Sequence, residues 1–198
     1  MPQNLDQHYK DALRWIDRDA FAYFLTDVLN MGKPVWDPTI PTACVSVPVD
    51  LTDLSNFSFR FNPDFARDLD VDVLAFVAAH ETLHIVLNHL TLSKKYDDKN
   101  LFNIAADCVI NDYLADQGFT VPDWVMTGEK QVGYSCANVT VSEVYGDLLH
   151  KQRQGEDPQA GEPGEGAGDD DQSASSASSG GSLVDDHEWI HNSDCLLY

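Results

Sequence analysis

Basic residues are scarce in this chain: 12 Lys and Arg stand against 33 Asp and Glu in 198 residues, a formal charge of -21. A field of that sign repels phosphate backbones and anionic lipid surfaces, so neither nucleic acid nor a membrane is an expected partner. Cysteine is also rare. Cys44, Cys108, Cys136 and Cys195 are scattered without a CxxC pair, which speaks against a disulfide framework and against a thiolate zinc site. No stretch approaches the ~18 consecutive apolar residues of a membrane span, and the N-terminal MPQNLDQHYKDALRW has no apolar core of signal-peptide length. These absences together predict a reduced, soluble, cytoplasmic protein. What is present is an ordinary globular composition, 43% hydrophobic and 10% aromatic, enough to bury a core.

The apolar spacing predicts an α+β fold, mainly helical, with a small sheet. Leu13, Ile16, Phe21, Phe24, Leu25 and Val28 recur at helical intervals, which predicts one long helix from about Asp6 to Met31, ended by Gly32 and Pro34. Between Pro34 and Pro63 the β-favouring runs ACVSVPV and NFSFRF predict the sheet, with Phe57, Phe59 and Phe61 on one face. Val71 to Leu92 is apolar nearly all round and predicts a helix buried in the middle of the domain. Further helices are expected from about Leu101 to Gln117 and from about Ser142 to Lys151, the latter with Asn138 as an alternative start. The domain is expected to span residues 1–154. From Gly155 to Ser182 acidic, Gly and Ser residues predominate without basic or large apolar ones, the composition of a flexible linker. Residues 183–198 are apolar again and are expected to dock back on the domain.

Chemistry concentrates in His80-Glu81-Thr82-Leu83-His84. Imidazoles four residues apart lie one turn apart on one helix face and can share one ion, and zinc fits that geometry best. Glu81, turned away from the histidines, is placed to take a proton from a water at the ion. Buried histidines without such a partner would be costly. A catalytic zinc takes a third protein ligand and leaves a position open. Asn103, Asp107 and Asn111 form one stripe of the next helix, which makes Asp107 the expected third ligand, with Glu143 and His187 as competitors. His89, nine residues after His80, falls on about the opposite side of a continuous helix and suits a hydrogen-bonding or helix-end role. Nothing nearby in the sequence singles out His8, His150 or His191.

The run AAHETLHIVLNH, then NIAADCVINDYL, VPDW, VSEVYGDLL and, after the low-complexity stretch, DDHEW, resembles the metallopeptidase domain that bacteria and phages carry beside a von Willebrand factor A-like domain. That resemblance implies a zincin-like fold. It supports His80, His84 and Asp107 as ligands with Glu81 as general base, and it points to Asn111 and His187 as near the site. A von Willebrand factor A-like domain or a MoxR-type ATPase is the partner it suggests.

Two functions fit these features. One is a zinc metallopeptidase acting on a peptide or isopeptide bond of a protein or peptide substrate; the other is a non-catalytic module that zinc merely stabilises. Glu81 favours the enzyme, because a structural site has no use for a base beside the metal and is closed by a fourth protein ligand. His187, flanked by Asp185, Asp186 and Glu188, is expected to be readily protonated and to reach the cleft as an oxyanion or substrate donor.

Overall fold

A computed structural model describes residues 4–18, 22–47, 57–155 and 196–197. Helix α1, Leu5–Ile16, starts where the Asn4 side chain accepts from the amides of Asp6 and Gln7, relieving two of the unpaired N–H groups of a helix start. The single long helix expected up to Met31 is two helices, α1 and α2, Tyr23–Met31. The polar Asp17 and Arg18 interrupt the apolar spacing after Ile16, and the Arg18 guanidinium turns back over the Trp15 ring, 3.4 Å from its centroid.

The sheet forms where the prolines and aromatic alternation place it. Strands β1 (Lys33–Trp36), β2 (Ala43–Val47) and β3 (Ser58–Phe61) are joined by the two-residue β4 (Leu196–Leu197) in the order β1-β3-β2-β4. β1 runs parallel to β3, and β2 is antiparallel to both β3 and β4. Phe57, Phe59 and Phe61 are all buried, as the period of two requires. Between them Arg60 reaches Asp37, whose carboxylate also accepts from the Thr39 amide and hydroxyl. Helix α3, Pro63–Asp68, follows with Asn62 capping it and Pro63 in its first turn.

Helix α4, Val71–Val86, is buried without interruption from Leu74 to His84, packed by α1, α2 and β2. It does not continue to Leu92. Asn88 adopts the left-handed conformation (φ 57°), which asparagine tolerates better than most residues, and α5, His89–Leu92, leaves with its following 3₁₀ turn at 53° to α4. Helix α6, Lys99–Asp116, lies against α4 on one side and α8 on the other. Gly118, at φ 81°, supplies the left-handed residue just beyond its end. Ile110 and Leu114 of α6 belong to the main core around α1, α4 and the sheet, whereas Leu101, Ile104, Ala105 and Cys108 belong to a second cluster with Cys136, Val144 and Leu148. A short α7, Gly128–Gln131, precedes α8, Val141–Arg153. Neither Ser142 nor Asn138 starts α8: Thr140 does, exchanging hydrogen bonds with Glu143 in a reciprocal cap. Among the described residues no single helix is long and apolar enough to cross a membrane. The expected linker beyond Gly155 and His187 lie outside the described residues.

Candidate metal centre

The antiparallel meeting of α4 with α6 brings His80, His84 and Asp107 together, all three buried. His80 Nε2 and His84 Nε2 are 3.0 Å apart, and Asp107 Oδ1 lies 3.6 Å from the first and 3.2 Å from the second. The four-residue spacing on α4 sets the imidazole pair, and the adjoining turn of α6 sets the carboxylate.

The proton on His80 can be assigned from its neighbours. Asn111, one turn beyond Asp107, donates from Nδ2 to the Met126 carbonyl at 2.7 Å, so its Oδ1 is the atom that faces His80 Nδ1, at 2.8 Å. An amide oxygen only accepts. His80 therefore carries its hydrogen on Nδ1 and turns a lone pair on Nε2 toward His84 and Asp107. Behind His84 stands His89, with Nδ1 3.2 Å from His84 Nδ1. The turn at Asn88 puts it there, where a continuous helix would have carried it to the far side. Burial, reinforced by His84 and His80, pushes the His89 pKa down to about 2, so His89 is a neutral ring, and the hydrogen between the two Nδ1 atoms belongs to one ring or the other according to their tautomers.

A cleft partly open to solvent includes this cluster in its lining. His80, Glu81, Asp107 and Asn111 form its polar end. The remaining lining is Thr42 and Ala43 at the start of β2, Phe65 of α3, Phe76 and Val77 of α4, and Trp124, Val125 and Met126 of the loop after α6. That loop is anchored twice by adjacent residues of α6. Asn111 holds the Met126 carbonyl, and the Asp112 carboxylate accepts from the amides of Gly128 at 3.0 Å and Cys136 at 2.6 Å. A Cβ on Gly128 would overlap Cys136 Sγ, the Tyr134 carbonyl and Asp112 Oδ2, so only glycine fits this approach.

The expected residues fall into place unevenly. His80, His84 and Asp107 converge, Glu81 lines the cleft beside them, and Asn111 bonds to His80. Glu143, the competing ligand, is instead an exposed member of the α8 cap, and bonds from the Thr140 hydroxyl and amide hold its carboxyl below the ordinary range. His187 and His191 lie outside the described residues. His8 is buried against the Leu69 carbonyl at 2.9 Å, and His150 sits exposed beside Gln154. Asp112 and the apolar cleft wall carry no periodic signal that would single them out. An acid next to Asn111 on a helix otherwise buried all round is the one hint of the loop anchor.

The donor set fits a metal ion. A four-coordinate zinc with bonds of ~2.0–2.1 Å has ligand atoms about 3.3–3.4 Å from one another. The triangle of His80 Nε2, His84 Nε2 and Asp107 Oδ1, with edges of 3.0, 3.2 and 3.6 Å, brackets that size. His80 presents a lone pair inward, His84 Nε2 stands beside it, and the one anionic donor between them supplies charge for a divalent cation.

Comparison with curated proteins and with solved structures gives no match. A family profile does match, over residues 22–189, a span that takes in every residue of the cluster and of the cleft wall. With that much of its length covered, the chain belongs to the family described as "Putative metallopeptidase domain".

Proposed function

We propose that the chain is a zinc-dependent metallopeptidase that hydrolyses a peptide or isopeptide bond, with His80, His84 and Asp107 as ligands and Glu81 as general base. The observation that carries this reading is the position of Glu81: it follows His80 on α4 and lines the same solvent-open cleft as His80 and Asp107. A zinc ion held there would supply Lewis acidity, making a water easier to deprotonate and a carbonyl easier to attack. Glu81 takes the proton of the attacking water on its carboxylate and passes it to the departing amine. Asn111 keeps the His80 hydrogen on Nδ1, so that its Nε2 lone pair would face the ion, and with the ion bound His84 would carry its hydrogen on Nδ1, directed at His89 Nδ1. The apolar wall keeps bulk water from the carboxylate once substrate fills the cleft. His187 serves as an oxyanion donor in this proposal, and His187→Ala should lower turnover without loss of zinc.

The decisive variant is Glu81→Gln, which keeps size and loses the base. Purified in zinc, it should hold about one ion per chain, as the wild type does, and leave a mixed peptide library uncut where the wild type cleaves it, read by mass spectrometry. Cleavage by the variant at the wild-type rate would move the base elsewhere. Full zinc occupancy in both His80→Ala and His84→Ala would remove the metal assignment.

A further inference from the structure

The cleft has two halves of different chemistry. At one end stand His80, Glu81, Asp107 and Asn111; the rest of the wall is almost wholly apolar, with Phe65, Phe76, Val77, Trp124, Val125 and Met126 as its large side chains. Phe76 and Val77 lie one turn before His80 and Glu81 on α4, and the Phe76 ring centroid is 6.1 Å from that of His80. The apolar half thus begins in contact with a candidate ligand. The rings of Phe65 and Trp124, also in the lining, meet edge to face, with centroids 5.9 Å apart and planes at 71°. This pair joins α3 to the loop after α6 within the cleft wall.

From this juxtaposition we infer that the apolar half is a side-chain subsite, which takes a bulky apolar residue of an extended peptide next to the hydrolysed bond, with Trp124 and Phe65 setting its depth. The inference rests on the metallopeptidase reading and adds a substrate class to it. One helical turn, ~5.4 Å, separates the apolar wall from the ligands, a reach comparable to one residue of extended chain at ~3.4 Å plus its side chain. Large apolar surfaces left open beside polar, convergent groups are the usual anatomy of a ligand site. Charge narrows the occupant further. Among the described residues no Lys or Arg lines the cleft, while Glu81 and Asp107 do, so an acidic side chain meets like charge and no counter-ion there. A leucyl, methionyl or phenylalanyl side chain meets neither penalty and covers the half-buried Phe65, Trp124 and Met126.

The test uses the zinc-loaded full chain and N-acetylamino acid hydroxamates of leucine, phenylalanine, glycine and aspartate, with acetohydroxamate as the control that has no side chain. Titration calorimetry should give leucine and phenylalanine compounds that bind about tenfold or more tighter than those of glycine and aspartate. Trp124→Ala should erase the preference while zinc content and acetohydroxamate affinity hold, and Trp124→Phe should restore most of it. Equal affinity across the wild-type series would overturn the subsite and leave the metal site standing, an outcome that needs no variant to fold. Failure of acetohydroxamate itself to bind would overturn the metal reading, and the subsite with it.

Discussion

His80 is tied through Asn111 to the wall of the cleft: Asn111 Oδ1 lies 2.8 Å from His80 Nδ1, and Asn111 Nδ2 donates to the Met126 carbonyl at 2.7 Å. Removing the acceptor frees the His80 ring to take the other tautomer or to rotate. Asn111→Ala should therefore weaken zinc binding about 10–100-fold, as loss of a partner behind a metal-bound histidine does. Asn111→Asp keeps an acceptor for His80 but faces the Met126 carbonyl with a second oxygen. It should hold zinc within a few-fold of the wild type while loosening the cleft wall. Competition against a fluorescent chelator separates the two variants, and wild-type affinity in Asn111→Ala would show that the hydrogen bond does not orient the ring.

Asp107 and Glu143 are both acidic and both on helices that pack together, yet only Asp107 stands within 4 Å of the histidine nitrogens. Asp107→Ala should lower zinc affinity by well over ~100-fold, more than loss of the Asn111 contact. Glu143→Ala should leave affinity unchanged and touch only the start of α8. Equal losses in the two variants, read by the same chelator assay, would mean that the third ligand has been misplaced.

Gly128 is the residue that lets the loop close on Asp112. Gly128→Ala forces its new methyl group against Cys136 Sγ, the Tyr134 carbonyl and Asp112 Oδ2, none of which can withdraw without breaking a buried contact. Urea unfolding should show a loss of about 1–3 kcal/mol, the usual cost of overpacking. A variant as stable as the wild type would mean that the loop shifts freely and that its double anchor on α6 is weak.

Acid sensitivity should trace in part to Asp37. The Thr39 hydroxyl and amide, helped by Arg60 and opposed by burial, hold its carboxyl below the ordinary carboxylate range. A depressed acid stabilises the fold fully above its unfolded pKa of ~3.9 and loses that contribution as pH falls through the lower folded value. The melting temperature of Asp37→Asn should thus lie below that of the wild type near neutral pH, and the gap should close as pH falls below about 4. A gap of constant size across that range would assign the role of Asp37 to packing and not to charge.

Local signals carried much of this architecture. The HExxH spacing, the Asn103-Asp107-Asn111 stripe and the alternation of Phe57, Phe59 and Phe61 are each properties of one element, and each appears where periodicity puts it. What periodicity missed depends on single residues or on distant ones. Asn88 ends α4 through one backbone angle, although the residues around it continue an apolar helical pattern. Thr140 wins the α8 start over Ser142 and Asn138 because only it has a glutamate at the third position to complete the cap. The cleft wall joins Phe65 to Trp124 across 59 residues of sequence, a pairing that only tertiary packing creates.

Helix α6 supplies side chains to both apolar clusters, Ile110 and Leu114 to one, Leu101, Ile104, Ala105 and Cys108 to the other. Neither half of the molecule can come apart while the other keeps its packing, since each would strip a face of the same helix. Asp107 sits between Ala105 and Cys108 of the second set and three residues before Ile110 of the first, so packing on both sides holds its stretch of helix. Its amide, with those of its neighbours, should be among the slowest to exchange with solvent deuterium, exchanging only when the whole domain unfolds.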